Sequence, residues 1–148
     1  DGISESPDRY YYGGIDSVQM AWIKEDLATV PQDQPLVISV HIPFITVKTQ
    51  IEEGALAPNI PRSVVSNSKE VLELFKGHNL KLVLQGHLHF YEDIYVEGIH
   101  FITGGAVCSA WWTGKFNGLE EGFLRIDVKG DDFSTEYIDY GWEVPEEK

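Results

Sequence analysis

Two short, predominantly apolar runs constrain this chain more than any other feature. They are Leu36-Val37-Ile38-Ser39-Val40, which runs straight into His41, and Leu80-Lys81-Leu82-Val83-Leu84, which runs straight into Gln85-Gly86-His87-Leu88-His89. Runs of this length, with β-branched residues and without strict alternation, read as strands buried on both faces. Between them Asn67 and Glu70 offer a helix-capping pair, Val71, Leu74 and Phe75 share one helical face, and Gly77 is a C-terminal stop. Strand, helix, strand is the repeating unit of a parallel α/β sheet. In such sheets ligands bind outside the carboxyl ends of the strands. Here that location holds His41 after the first run and Gln85-Gly86-His87-Leu88-His89 after the second.

The remaining segments arrange themselves around that unit. Residues 1–14, rich in Gly, Ser, Pro, Asp and Tyr, read as a loop. Asp16 and Gln19 form a capping box, and Val18, Ala21, Trp22, Ile23, Leu27 and Val30 follow at helical spacing, predicting a surface helix that Pro31 and Pro35 end. Residues 46–62 show neither period, contain Gly54, Pro58 and Pro61, and are long enough for a functional loop or lid. From Tyr91 onward the pattern is short strands over 91–96, 99–103, 122–128 and 133–140, which predicts a closing β meander.

Charge narrows the choice of partners. Against 24 Asp and Glu stand 11 Lys and Arg, a formal net charge of −13, whose field repels phosphate backbones and anionic headgroups. General nucleic-acid or membrane-surface binding is therefore not expected. A phosphate-bearing ligand needs local positive charge against that field, and bound metal cations are the obvious source. The single cysteine, Cys108, excludes an internal disulfide framework and a Cys-rich zinc module. No window approaches the roughly 20 apolar residues of a membrane helix.

In extended backbone His87 and His89, two positions apart, point to one side, and Gly86 lets the chain turn tightly beside them. His41, followed by Ile42 and Pro43, brings a third imidazole to the end of the neighbouring strand. Other polar residues read as structural. His78 lies just past a helix end, His100 faces solvent from a strand, and Glu92 and Asp93 belong to a solvated acidic face. Cys108 reads as a small buried hydrophobe rather than a nucleophile. Trp111 and Trp112 are the candidate substrate-binding residues. Adjacent on a strand, they would face opposite ways, so at most one would line a pocket and the other would pack in the core.

The segments Ser39-Val40-His41-Ile42-Pro43 and Gln85-Gly86-His87-Leu88-His89 resemble the last two signatures of the calcineurin-like metallophosphoesterases. Gly104-Gly105-Ala106-Val107-Cys108-Ser109-Ala110-Trp111-Trp112-Thr113-Gly114 and Tyr137-Ile138-Asp139-Tyr140-Gly141-Trp142 are similar to one bacterial, often exported, branch of that family, so the resemblance covers nearly the whole chain. It implies an α/β/β/α fold, a β-sandwich flanked by helices, and hydrolysis of phosphate mono- or diesters at a dinuclear site of divalent manganese, iron or zinc. By this resemblance His41 and His87 bind one metal and His89 the other. The family's earlier signatures, an Asp-x-His, a Gly-Asp-x-x-Asp and a Gly-Asn-His, supply the other ligands, the bridging carboxylate and the catalytic histidine. They do not occur here. The resemblance therefore implies that residues 1–148 are the C-terminal half of a single catalytic domain, inactive alone and weak in metal binding. Its expected partners are the phosphate ester substrate, the missing N-terminal half and, through an uncovered sheet edge, further copies of itself. Its location would be bacterial, exported to the periplasm or cytoplasmic. The rival reading is a noncatalytic binding or assembly module whose histidines are remnants or a single-metal site.

Overall fold

A computed structural model describes residues 3–5 and 11–145. In chain order the elements are β1 (Ile3–Glu5), β2 (Tyr11–Gly13), α1 (Ser17–Leu27), β3 (Pro35–Ser39), α2 (Lys48–Glu53), α3 (Ser68–Leu74), β4 (Asn79–Gln85), β5 (Tyr91–Val96), β6 (Ile99–Gly104), β7 (Gly122–Lys129) and β8 (Asp132–Asp139). Strands β3, β4, β6 and β5 form, in that order, one mixed sheet. The pairs β3/β4 and β4/β6 are parallel and β5/β6 is antiparallel. Strands β7 and β8 pair antiparallel apart from it, as do β1 and β2. The chain is thus mixed α/β. Its two consecutive antiparallel pairs after residue 90 are compatible with the expected meander, distributed over two sheets.

Neighbours in the sheet decide how each apolar run is buried. Strand β4 lies inside the sheet, and Leu82 and Val83 are buried as the sequence predicts. Strand β3 carries the same kind of run but, among the described residues, pairs on one side only, and its residues alternate between exposed and half-buried. The expectation of burial on both faces is corrected there: Val37 is 56% exposed. Val37 and Trp22 of α1, itself 63% exposed, line one apolar groove beside that edge. Residues 1–14 are also corrected in part, since β1 and β2 pair antiparallel; residues 1–2 and 6–10 of that segment lie outside the described residues. The irregular stretch 46–62 contains one short helix, α2, on which Lys48 pairs with Glu52.

The two predicted caps behave differently. Asp16 caps α1 as read from the sequence, accepting a hydrogen bond from the Gln19 N–H at 2.8 Å. Asn67 precedes α3 but makes no capping bond. Its side-chain amide instead accepts from the Ile15 N–H at 2.9 Å and donates to the Ile15 carbonyl at 2.8 Å. Ile15 follows β2 without a strand partner, and the amide takes the place of a peptide group.

The core contains Ile42, Phe44, Val65, Val71, Leu80, Val83 and Phe101. Two of these, Ile42 and Phe44, come from the connection after β3 rather than from an element. No helix among the described residues is long and apolar enough to cross a membrane. The β2 end is fitted tightly to this core: a Cβ on Gly13 would overlap the Val64 carbonyl oxygen and approach Ile42 Cγ2 to 2.9 Å. Gly13→Ala is therefore expected to destabilise the chain by about 1–3 kcal/mol, the usual range for overpacking, measured by urea unfolding. An unchanged midpoint would show that β2 is not held against residues 61–66.

Candidate metal centre

Two parallel strand ends bring the histidines together. Past the last paired residues of β3 and β4, the Val40 N–H donates to the Leu84 carbonyl at 2.9 Å and the Gly86 N–H donates to the His41 carbonyl at 3.0 Å. This continued backbone pairing carries His41 and His87 outward side by side. His87 Nδ1 lies 3.2 Å from His41 Nε2, and the rings meet edge-on with centroids 5.1 Å apart.

The backbone around His87 and His89 is not extended. Both residues have left-handed φ, 69° and 50°, so the expected same-side geometry is corrected. Gly86 does not supply the turn; a Cβ there would meet the His41 carbonyl oxygen at 3.6 Å, an ordinary contact. The turn falls instead on the histidines, where left-handed backbone costs roughly 1–2 kcal/mol per residue. As a result the two imidazoles have separate surroundings. His87 meets His41, whereas the His89 Nδ1–H donates to the Ser109 carbonyl at 2.7 Å. The His89 ring stacks on Trp111, with centroids 4.6 Å apart and planes at 29°, and Asn117 Nδ2 donates to the His89 carbonyl at 3.1 Å. A carbonyl on one ring nitrogen fixes the tautomer and leaves Nε2 with a free lone pair, the state a metal ligand requires.

A buried polar row holds the strand ends in place. Gln85 of β4, Thr103 of β6 and Glu92 of β5 are cross-strand neighbours, and all three are buried. Gln85 Oε1 accepts from the Phe44 N–H at 2.8 Å and the Ile45 N–H at 3.3 Å. Gln85 Nε2 donates to the Ile45 carbonyl at 2.9 Å and to Thr103 Oγ1 at 3.2 Å. Thr103 Oγ1 donates to Glu92 Oε1 at 3.1 Å, and Glu92 Oε2 accepts from the Val47 N–H at 3.1 Å. The connection that carries His41 is thereby tied to three strands.

Tyr11 and Arg62 join this site without any signal in the sequence. The Tyr11 hydroxyl is 3.4 Å from His87 Nε2, and the Arg62 guanidinium lies 5.5 Å from the Tyr11 ring centroid. They arrive there because Gly13 docks on residues 61–66: its N–H donates to the Pro61 carbonyl, and its own carbonyl accepts from Ser66. Gln85 carries no role of its own in the sequence motif, although its place at the end of an apolar run, just before Gly86, is a signal for a satisfied polar group.

Several other residues differ from their sequence readings. Glu92 is buried and hydrogen-bonded rather than solvated. Asp93 accepts from His100 Nδ1 at 2.8 Å, and the His100 ring meets Tyr95 and Phe133, so His100 is not simply turned to solvent. His78 sits past α3 as expected, with Nδ1 buried and without a partner among the described residues. Cys108 is half-buried. Trp111 and Trp112 both have left-handed φ and lie outside any strand. Trp111 reaches His89, whereas Trp112, 45% exposed and not in the core, packs against Tyr140 and Trp142.

The donor set suits two ligands of one cation. Two bonds of about 2.1 Å meeting at about 100° place imidazole nitrogens as far apart as His41 Nε2 and His87 Nδ1 lie. Among the described residues, no group of three or more His, Cys, Asp or Glu side chains is placed to hold one ion. The chain matches no family model and no curated protein.

Burial holds the His87 imidazole below its ordinary value of 6.5, and the neighbouring His41 acts in the same direction. The unfolded chain then takes up this proton first as pH falls, so the contribution to stability is intact above 6.5 and is lost as pH drops below it. In metal-free protein, nuclear magnetic resonance titration of the imidazoles is expected to show His87 titrating below 6.5. His87→Gln should lose less stability than the parent between about pH 7.5 and about pH 5.5. Titration of His87 at or above the ordinary value would refute this account of its surroundings.

Proposed function

We propose that this chain is the C-terminal part of a calcineurin-like metallophosphoesterase that hydrolyses phosphate mono- or diesters. His41 and His87 ligate one divalent ion and His89 ligates a second. The remaining ligands, the bridging carboxylate and the catalytic histidine come from the part of the domain outside residues 1–148. The observation that carries this reading is the 3.2 Å approach of two imidazole nitrogens at the ends of adjacent parallel strands. Bound manganese, iron or zinc would supply a nucleophilic water at neutral pH and positive charge against the phosphate.

The chain's own residues have simpler tasks. His41 and His87 offer ring nitrogens, and burial favours the neutral state at His87. The Ser109 carbonyl orients His89. Arg62 brings a cation close to His87 in a chain of net charge −13, where a phosphate needs one. The open β3 edge and the apolar groove beside it support the view that more of the domain covers this side. Natural sheet edges of apolar residues are normally paired or blocked. The same uncovered edge favours self-association when the chain is alone.

The pairing of just His41 and His87 at 3.2 Å also accords with a second reading, a noncatalytic module with a single-metal histidine clip. Calorimetric titration with zinc or manganese separates both from a purely structural role. Binding is expected to weaken at least tenfold in His41→Ala and in His87→Ala, the scale seen for lost metal-site interactions, and to be unchanged in His78→Ala. Equal affinity in all three variants would sink both readings. Hydrolysis of a bis-aryl phosphate that appears only when the upstream part of the domain is supplied, and disappears with His89→Ala, would decide for the enzyme.

A further inference from the structure

We infer that Trp111 is a stacking platform that selects phosphate esters bearing a planar aromatic group. The inference rests on the proposed reading of His41, His87 and His89 as the phosphate-side centre.

Trp111 combines three properties that a merely structural tryptophan does not need together. Its backbone is left-handed, with φ of 56°, a conformation unfavourable for a bulky side chain. It remains 64% exposed, so little burial offsets that cost. One face of the indole covers His89, and Phe116 meets it edge-on with centroids 5.9 Å apart.

The loop that displays it is firmly anchored. Ser109 is almost fully buried; its carbonyl accepts from His89, and its hydroxyl accepts from the Phe116 N–H at 3.0 Å and donates to the Leu119 carbonyl at 2.8 Å. The Trp112 N–H donates to the Cys108 carbonyl at 2.8 Å, closing the turn around Trp111. The same segment that orients a candidate ligand therefore presents an exposed aromatic surface beside it. Trp112 turns to Tyr140 and Trp142 and takes no part. An aromatic group on a phosphate held at the histidines would lie against the indole, gaining stacking that an alkyl ester lacks.

Saturation-transfer magnetic resonance on the full chain, with phenyl phosphate and methyl phosphate as probes, with and without zinc, tests this. Phenyl phosphate is expected to bind more tightly than methyl phosphate, with saturation concentrated on its ring protons. Trp111→Leu is expected to weaken phenyl phosphate about fivefold, Trp111→Phe to restore most of the affinity, and Trp112→Leu to change nothing. Because Trp111 is exposed, unchanged circular dichroism should confirm that each variant folds. No phenyl phosphate binding, equal binding of the two probes, or an equal loss in Trp112→Leu would overturn the inference. His87→Ala keeps the two readings apart. An aromatic preference that depends on Trp111 but not on zinc or His87 would leave the platform standing and remove the phosphoesterase reading. Zinc-dependent binding of both probes without any Trp111 effect would do the reverse.

Discussion

A single row of buried polar side chains, Gln85, Thr103 and Glu92, governs how the rest of this molecule is arranged. An amide and a carboxylate in a core each cost several kcal/mol unless their hydrogen-bonding groups are paired. Here the pairing runs across three strands and then onto the backbone at Phe44, Ile45 and Val47. That backbone belongs to an irregular connection, which would normally stay at the surface because its peptide groups lack partners. With Gln85 acting as a substitute strand, Ile42 and Phe44 enter the core. His41, one residue earlier, is then fixed at the strand end opposite His87.

Backbone strain is concentrated where the candidate chemistry lies. Of the described non-glycine residues with positive φ, His87, His89, Ser109, Trp111, Trp112 and Asn117 all belong to the two loops that meet at His89; Glu97, in the β5–β6 turn, is the exception. Such conformations persist only where the surroundings over-determine them. The surroundings here are specific: Ser109 and Asn117 both bond His89, and Trp111 stacks on it. The loops are therefore held by the site as much as they hold it.

Burial is uneven across the sheet. Strand β4 is enclosed by β3 and β6, whereas β3, with an equally apolar sequence, is left at an edge beside Trp22. An apolar strand costs free energy when exposed, and an unpaired edge invites association. In the proposed reading the rest of a phosphoesterase domain would cover this side.

The sequence by itself determined the local structure. Both apolar runs are strands, Asp16 caps its helix, Gly77 follows the end of α3, and His41, His87 and His89 lie just past strand ends. These features follow from periodicity, side-chain branching and capping chemistry, which act over a few residues. Tertiary structure alone decided which strand is central, since Leu36 to Val40 and Leu80 to Leu84 carry the same local signal and differ only in their neighbours. It also turned Asn67 from a cap into a clamp on Ile15 and brought Tyr11 and Arg62 beside His87 across long sequence separations. The split of the His87-Leu88-His89 pair into two environments was equally out of reach. Alternation assumes extended backbone, and the contacts that hold these histidines in left-handed conformations come from other parts of the chain.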